Sequence, residues 1–425
     1  MRKLVVGRLG FRSCRERLSV RRRTGLVTRL GALLFLALVS SQASAQTLTT
    51  LWSFDGTSGA DPYGSLTLSG GTLYGMTRDG GGYNYGTVFS IPVSGGAPTT
   101  LLSFDGTNGG YPYGSLTLSG TTLYGMTHDG GANNAGPVFG IPVSGSTLTT
   151  LASFNLSNGA SPYGSLTLSG ASLYGMTNAG GANNDGTVFS VPVSGGTPTT
   201  LLSFNGSNGA HPYGSLTLSG TTLYGMTHDG GANNDGTVFS IPVSGGAPTT
   251  LLSFSGSNGA YPYGSLTLSG GTLFGMTQRG GANNDGTVFS IPVGGGAPTT
   301  LASFSGSNGA NPWGSLTLSD AILYGTTSGG GASNDGTVFS IPVSGGTPTA
   351  LLSFNGTNGA SPYGDLTLNG GTLYGMTYAG GANNEGTVFS VSVTQPTPEP
   401  STLVLLGVGA ASLAAYAWRR RRQTA

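Results

Sequence analysis

Charge is what this sequence has least of. Only 7% of its 425 residues are Asp, Glu, Lys or Arg, and the cations are segregated. Ten of the sixteen basic residues lie in residues 1–29 and four more are Arg419 to Arg422, which leaves Arg78 and Arg279 for the long middle of the chain. That middle, residues 46–394, carries thirteen Asp or Glu, a net of −11. A nucleic-acid binder needs a basic face to neutralise phosphates. The body has none, so no nucleic-acid partner is expected. Cysteine is nearly absent as well. The single Cys14 precedes the body, which excludes disulfides, thiolate nucleophiles and cysteine metal sites there. The only histidines are His128, His211 and His228. No Ser–His–acid or paired-carboxylate arrangement can be singled out by spacing. No sustained helical period occurs in the body, so P-loop and dinucleotide fingerprints lack the strand–helix context they need. No catalytic constellation is readable, and a non-enzyme is expected.

What the sequence does have is glycine, 79 of them, and a repeat. The frame L-x-S-F falls at Leu51, Leu101, Leu151, Leu201, Leu251, Leu301 and Leu351, and G-x-L-T-L starts at Gly64, Gly114, Gly164, Gly214, Gly264, Gly314 and Gly364. A fixed period of 50 residues marks stacked supersecondary units. Each unit holds four strand-like runs, in the fourth unit SLTL from Ser215, TLYGMT from Thr222, TVFSIPV from Thr237 and TTLLSF from Thr249. They are rich in β-branched, Leu and aromatic residues and punctuated by Gly, Asn, Ser and Pro. Four short antiparallel strands repeated seven times predict a seven-bladed β-propeller over residues 47–394. A β-helix fits less well, since its coils are shorter and pair in parallel.

The array's ends support closure. An extra TTLWSF run (Thr49 to Phe54) precedes the first GSLTL, and the last unit stops after GTVFSVSV without a TTLLSF run. The N-terminal strand is therefore expected to complete the seventh blade from outside, which removes open sheet edges. The prolines resist this frame. Pro92, Pro142, Pro192, Pro242, Pro292 and Pro342 lie in the third run, where a central strand wants an amide donor. Either that run is bulged, or it is the outermost strand and the closure fails. The ten-residue connector SGSNGAYPYG is long enough to cross to the next blade and SGGAP hardly is, which favours the first frame.

The two ends read as targeting segments. An Arg-rich stretch precedes the apolar run LGALLFLALV from Leu30, and Ala43-Ser-Ala45 is a small-x-small pattern. This predicts a signal peptide over 1–45, cut after Ala45 by signal peptidase; a twin-arginine signal at Arg22-Arg23 matches its motif poorly. At the other end, a Pro-rich linker at 395–400 precedes an uncharged span, Ser401 to Trp418, and a basic tail, 419–425. The span is at the short limit of a membrane-crossing helix, and the arginines after it predict a cytoplasmic tail with the array outside the inner membrane.

Pro398-Glu399-Pro400, then the apolar span, then Arg419, Arg420, Arg421 and Arg422 together resemble the PEP-CTERM sorting signal. That resemblance implies processing by exosortase, a membrane transpeptidase with a cysteine nucleophile; a plain membrane anchor is the alternative. The words LYG-x-T, GG-x-x-N-x-GTVF and F-x-G-x-x-G-x-x-PYG, over residues 51–393, resemble the GloVer repeat of exported bacterial proteins. The resemblance implies a fold and a location but no activity. Kelch repeats are similar in their paired glycines and four-strand units, without the kelch tryptophan.

Topology sends both long connectors of each blade to one rim, and ligand residues concentrate on loops held by a rigid scaffold. Two rim positions vary between repeats. After LYGMT stand Arg78, His128, Asn178, His228, Gln278, Ser328 and Tyr378; before PYG stand Asp61, Tyr111, Ser161, His211, Tyr261, Asn311 and Ser361. These are residue types that contact sugars or peptides, or else loop tips free to drift. The aromatics after the proline, Tyr63, Tyr113, Tyr163, Tyr213, Tyr263, Trp313 and Tyr363, either pack between blades or stack on a polysaccharide. Asp229, Asn233 and Asp235 supply oxygens suited to calcium, although Asn-Asp-Gly is also ordinary turn chemistry. No other cofactor is expected. Three functions stand as expectations: a surface adhesion module, with exopolysaccharide or envelope matrix as its partner; a polysaccharide hydrolase or lyase; or a structural spacer.

Overall fold

The computed structural model describes residues 46–393 other than Ser146, and in the tail Gly409, Ser412, Leu413, Tyr416, Trp418, Arg419, Arg420 and Arg422. The body forms twenty-eight strands, β1 to β28 in chain order, in seven four-stranded antiparallel sheets. In the first blade, β2 (Thr67–Ser69), β3 (Thr72–Thr77), β4 (Thr87–Pro92) and β5 (Thr99–Ser103) pair in sequence order. The last blade contains only β26 (Thr367–Asn369), β27 (Thr372–Thr377) and β28 (Thr387–Ser392) of its own and takes β1 (Leu48–Ser53) as its fourth strand. Leu48 lies opposite Val391 and Ser53 opposite Thr387. The chain is a seven-bladed propeller closed by its N-terminal strand.

The cores lie between blades. Phe54 packs edge-on against Phe89 with centroids 5.3 Å apart, and Phe204 meets Phe239 at 5.2 Å in the same way. Strand β4 is buried along most of its length because neighbouring blades cover both of its faces. The glycine of LYG makes room for that core: a Cβ on Gly75 would come 2.6 Å from Cζ of Phe89. Nearer the axis, two rings of hydrogen bonds tie blade to blade. The Ser65 N–H donates to Ser115 Oγ at 2.7 Å and the Thr67 hydroxyl donates to Leu116 O at 2.5 Å. Both rings close across the seam, from the Asp365 N–H to Ser65 Oγ at 2.6 Å and from the Thr367 hydroxyl to Leu66 O at 2.5 Å. The SLTL run is therefore the innermost strand and TTLLSF the outermost.

The prolines find a different solution from a bulge at the proline itself. Pro92 is the exposed last residue of β4. It lies beyond the final pair that β4 makes with β5, Ser90 opposite Thr99, so no outer strand asks for its missing amide. The ladder irregularity falls between Val88 and Phe89 instead.

Strands β1 and β28 are antiparallel, with Ser53 and Thr387 at the end where the long connectors lie. The chain thus enters β1 and leaves β28 on the opposite face. The expected signal peptide with Ala43 and Ala45, the linker with Pro398, Glu399 and Pro400, and Arg421 lie outside the described residues. So does most of 401–418. Among the described residues no helix is long and apolar enough to cross a membrane, so the expected transmembrane helix gains no support. The described tail residues are helical, and the Arg422 guanidinium sits 4.1 Å over the Trp418 ring.

Candidate functional site

Backbone bonds build the rim. Within a blade, Ala60 N–H donates to Asp79 O at 2.8 Å and Asp79 N–H to Ala60 O at 3.0 Å, lacing the two long connectors together. Between blades, Tyr111 N–H donates to Tyr85 O and His211 N–H to Asp185 O, each at 2.9 Å. Inside the second connector an Asn supports the turn: Asn234 has φ 61° and its Oδ1 accepts the Gly230 N–H at 3.1 Å.

The residue before each rim proline sits in the left-handed region. The φ values are 53° at Asp61, 54° at Tyr111, 53° at Ser161, 51° at His211, 57° at Tyr261, 53° at Asn311 and 52° at Ser361. Asn and Asp tolerate that backbone; bulky side chains such as Tyr do not. Nothing in the repeat words reveals this strain.

The seven aromatics after the prolines converge on the axis. Each contacts its neighbours in a continuous ring: Tyr113 and Tyr163 have centroids 4.4 Å apart, Tyr263 and Trp313 stack at 3.8 Å, and Tyr363 meets Tyr63 at 4.7 Å across the seam. They are half-buried, and packing across blade boundaries and lining the mouth are the same arrangement. Burial, then neighbouring tyrosines, hold the Tyr63 and Tyr163 hydroxyls above the usual tyrosine range. Burial pushes Tyr263 up to about 12. These hydroxyls stay neutral and able both to donate and to accept.

The variable rim residues form a collar on this ring. The His128 ring lies 4.9 Å from Tyr163, and His228 lies 4.6 Å from Tyr263 and stacks on Tyr261 at 5.0 Å. Arg78 donates to the Tyr378 hydroxyl at 3.0 Å, pairs with Asp79 at 3.1 Å and lies over Tyr113 at 5.5 Å. Asn178 and Gln278 take the equivalent loop positions, their N–H groups donating to Ser161 O and Tyr261 O. Of the acids that partner these groups, only Asp229 was singled out from sequence, and then for calcium rather than for histidine. Asp129 Oδ1 is 2.7 Å from His128 Nδ1, and Asp229 stands between two histidines, 3.1 Å from His211 Nδ1 and 2.9 Å from His228 Nδ1. Burial pulls His228 below the usual histidine range against the opposing pull of Asp229, so it is neutral at pH 7. At the seam Asp61 is pushed up to about 6 by burial, then by Asp79 and Glu385.

The three oxygens proposed for calcium have separate contacts. Asp229 faces the two histidines, the Asn233 amide donates to Phe254 O at 2.8 Å, and the Asp235 carboxylate lies 3.9 Å from where a Cβ on Gly256 would stand. Among the described residues, no group of three or more His, Cys, Asp or Glu is placed to hold a metal ion.

Solved structures share the fold. An oligogalacturonate lyase in complex with manganese superposes with a TM-score of 0.53 at 11% identity, over 84% of this chain and 95% of its own. A puromycin-hydrolyzing peptidase of Mycobacterium tuberculosis gives 0.53 at 13% identity over 80% of this chain, which spans 53% of the peptidase. At such identities the likeness concerns the propeller alone. No curated protein matches the chain in sequence. Residues 396–422 match the PEP-CTERM protein-sorting motif, which implies export, processing by an exosortase and sorting to the cell surface. The model of the Gloeobacter/Verrucomicrobia repeat matches residues 37–239 and 222–405, and the chain belongs to that family.

Proposed function

We propose that the propeller is a non-catalytic binding module that holds a neutral polysaccharide, of the exopolysaccharide or envelope matrix, across its aromatic mouth. The observation that carries this reading is the ring of seven half-buried aromatics collared by His128 and His228, with Tyr261 stacked on His228. Aromatic faces take the apolar faces of sugars, and hydroxyls and imidazoles fix their orientation. The strained backbone under Tyr111, His211 and Tyr261 supports it too. Glycine would fit those positions at lower cost, so side chains retained there favour a selected contact over drift.

Glycan-array and isothermal titration measurements test the reading. The wild type is expected to bind at least one neutral exopolysaccharide, and Tyr263→Ala with Trp313→Ala to lose about tenfold or more in affinity, as a lost stacking anchor implies. Binding unaffected by both changes, or no binding to any envelope or matrix glycan, refutes it. A second reading, a polysaccharide-cleaving enzyme, is favoured by Asp229 lying between His211 and His228 beside Tyr263. Cleavage abolished by Asp229→Asn supports that reading, and an inert wild type across polysaccharides ends it.

A further inference from the structure

Beneath the aromatic ring the axis holds a cavity of about 70 Å³, lined in every blade by the aromatic, the glycine and the next residue. It has room for at least two waters, each of which occupies about 30 Å³ in the liquid. Its inner ring is Ser65, Ser115, Ser165, Ser215, Ser265 and Ser315, with Asp365 in the seventh place. Each serine oxygen accepts one backbone N–H from the preceding blade, as Ser115 Oγ does from Ser65 at 2.7 Å. That uses one lone pair and leaves the hydroxyl proton and a second lone pair.

Asp365 keeps the ring intact. Its Oδ1 accepts the Ser315 N–H, and its own N–H donates to Ser65 Oγ. What it adds, where every other blade offers only a hydroxyl, is a carboxyl that takes hydrogen bonds from the Ser315 and Ser65 side chains and that burial holds above the usual carboxylate range. No cation answers it. Of the propeller's two basic side chains, Arg78 pairs with Asp79 on the rim and Arg279 is an exposed loop residue. Among the described residues no ion pair includes Asp365. An ionised carboxylate buried against a polar, water-sized space without a counter-charge is costly unless something positive enters.

We propose that the axial cavity binds one hard, oxygen-seeking cation, with Asp365 as its charged ligand and the serine hydroxyls and waters completing its shell. Carboxylate, hydroxyl and water are the ligand set of such ions, and flexible coordination suits calcium more than magnesium. The ion would sit against the blade that borrows its outer strand, bracing the ring at its seam. This site is separate from the rim and does not depend on the polysaccharide reading.

The test uses the purified full-length chain, stripped with chelator and given calcium, magnesium or sodium chloride singly, against choline chloride at equal ionic strength. One cation is expected to raise the melting temperature by about 2 °C or more at millimolar concentration. Elemental analysis is expected to find about one such ion retained per chain, as a single site requires. Asp365→Ser restores the serine of the other six blades, and Asp365→Asn keeps the shape without the charge. Both are expected to lose the shift and the retained ion, and to melt no lower than the stripped wild type. If no cation shifts the wild type beyond the two variants, or if a variant retains the ion, the proposal falls and the Asp365 carboxyl sits neutral in its ring.

Discussion

Phe54→Ala tests where the ring is weakest. Phe54 is fully buried, edge-on to Phe89 at 5.3 Å, in a cluster with Leu51, Leu66 and Val388. Removing such a ring costs about 3–5 kcal/mol in lost burial and cavity formation. Phe204→Ala is the matched control, since Phe204 is equally buried and 5.2 Å from Phe239. The two losses should be alike by guanidinium denaturation. Their distribution should not be. The strand before Phe204, Thr199–Ser203, is joined by a short turn to Thr187–Pro192 of its own blade, whereas β1 is held to β28 by pairing and packing with no turn between them. Detaching β1 opens the seam without unfolding a blade, so the Phe54→Ala loss should appear as local opening. At 1.36 kcal/mol per tenfold, 3–5 kcal/mol raises the open population by roughly two to nearly four decades. Hydrogen exchange read by mass spectrometry is expected to show residues 48–53 and 387–392 exchanging early in Phe54→Ala, with 187–203 still protected. If 187–203 in Phe204→Ala exchange just as early and as locally, the seam is no weaker than any other interface and the reasoning fails.

Three further outcomes follow from the same geometry. Asp61, pushed up to about 6 by burial and then by Asp79 and Glu385, keeps its proton in the fold after the unfolded chain has lost it. Its contribution is therefore greatest below pH 4 and is lost as pH rises through about 6, so Asp61→Asn should abolish that part of the decline between pH 4 and 6 in urea titrations. Gly225→Ala puts a Cβ 2.7 Å from Cζ of the buried Phe239, and overpacking of this kind costs about 1–3 kcal/mol, read as a lowered melting temperature. Tyr261→Gly releases a left-handed backbone of φ 57° and should stabilise the fold by about 1 kcal/mol while weakening glycan binding; a destabilised Tyr261→Gly would mean that stacking on His228 outweighs the strain.

Much of the fold was legible in one dimension. The period counts the blades. The unmatched TTLWSF before the first unit and the missing TTLLSF after the last one specify the seam, because a four-stranded blade short of one strand must find it elsewhere in the chain. The prolines were legible only as a problem. Whether Pro92 falls inside or beyond the β4–β5 ladder depends on strand register, which repeat words do not encode. On the rim, the variable residues could be picked out because repeats can be compared within one chain. Their acid partners Asp79 and Asp129 could not, because they look like turn residues until two connectors cross, and Asp229 drew notice only as a calcium oxygen, not as a partner of two histidines. Asp365 was visible as a lone GDLTL among GSLTL words, yet it carries meaning only once its neighbours in space are known.

The sequence by itself determined the blade number and the four-strand unit, and it favoured closure by the N-terminal strand over a frame with the proline run outermost. Those follow from local propensity and from counting, which a chain displays along its length. Tertiary structure decided what meets at the axis. Residues 50 positions apart, such as Ser65 and Ser115, become hydrogen-bonded neighbours, and residues 300 apart, Asp365 and Ser65, complete their ring. Seven repeats that are nearly alike as text become a single aromatic mouth above a single cavity, because rotation about one axis brings the same position of every blade to one place.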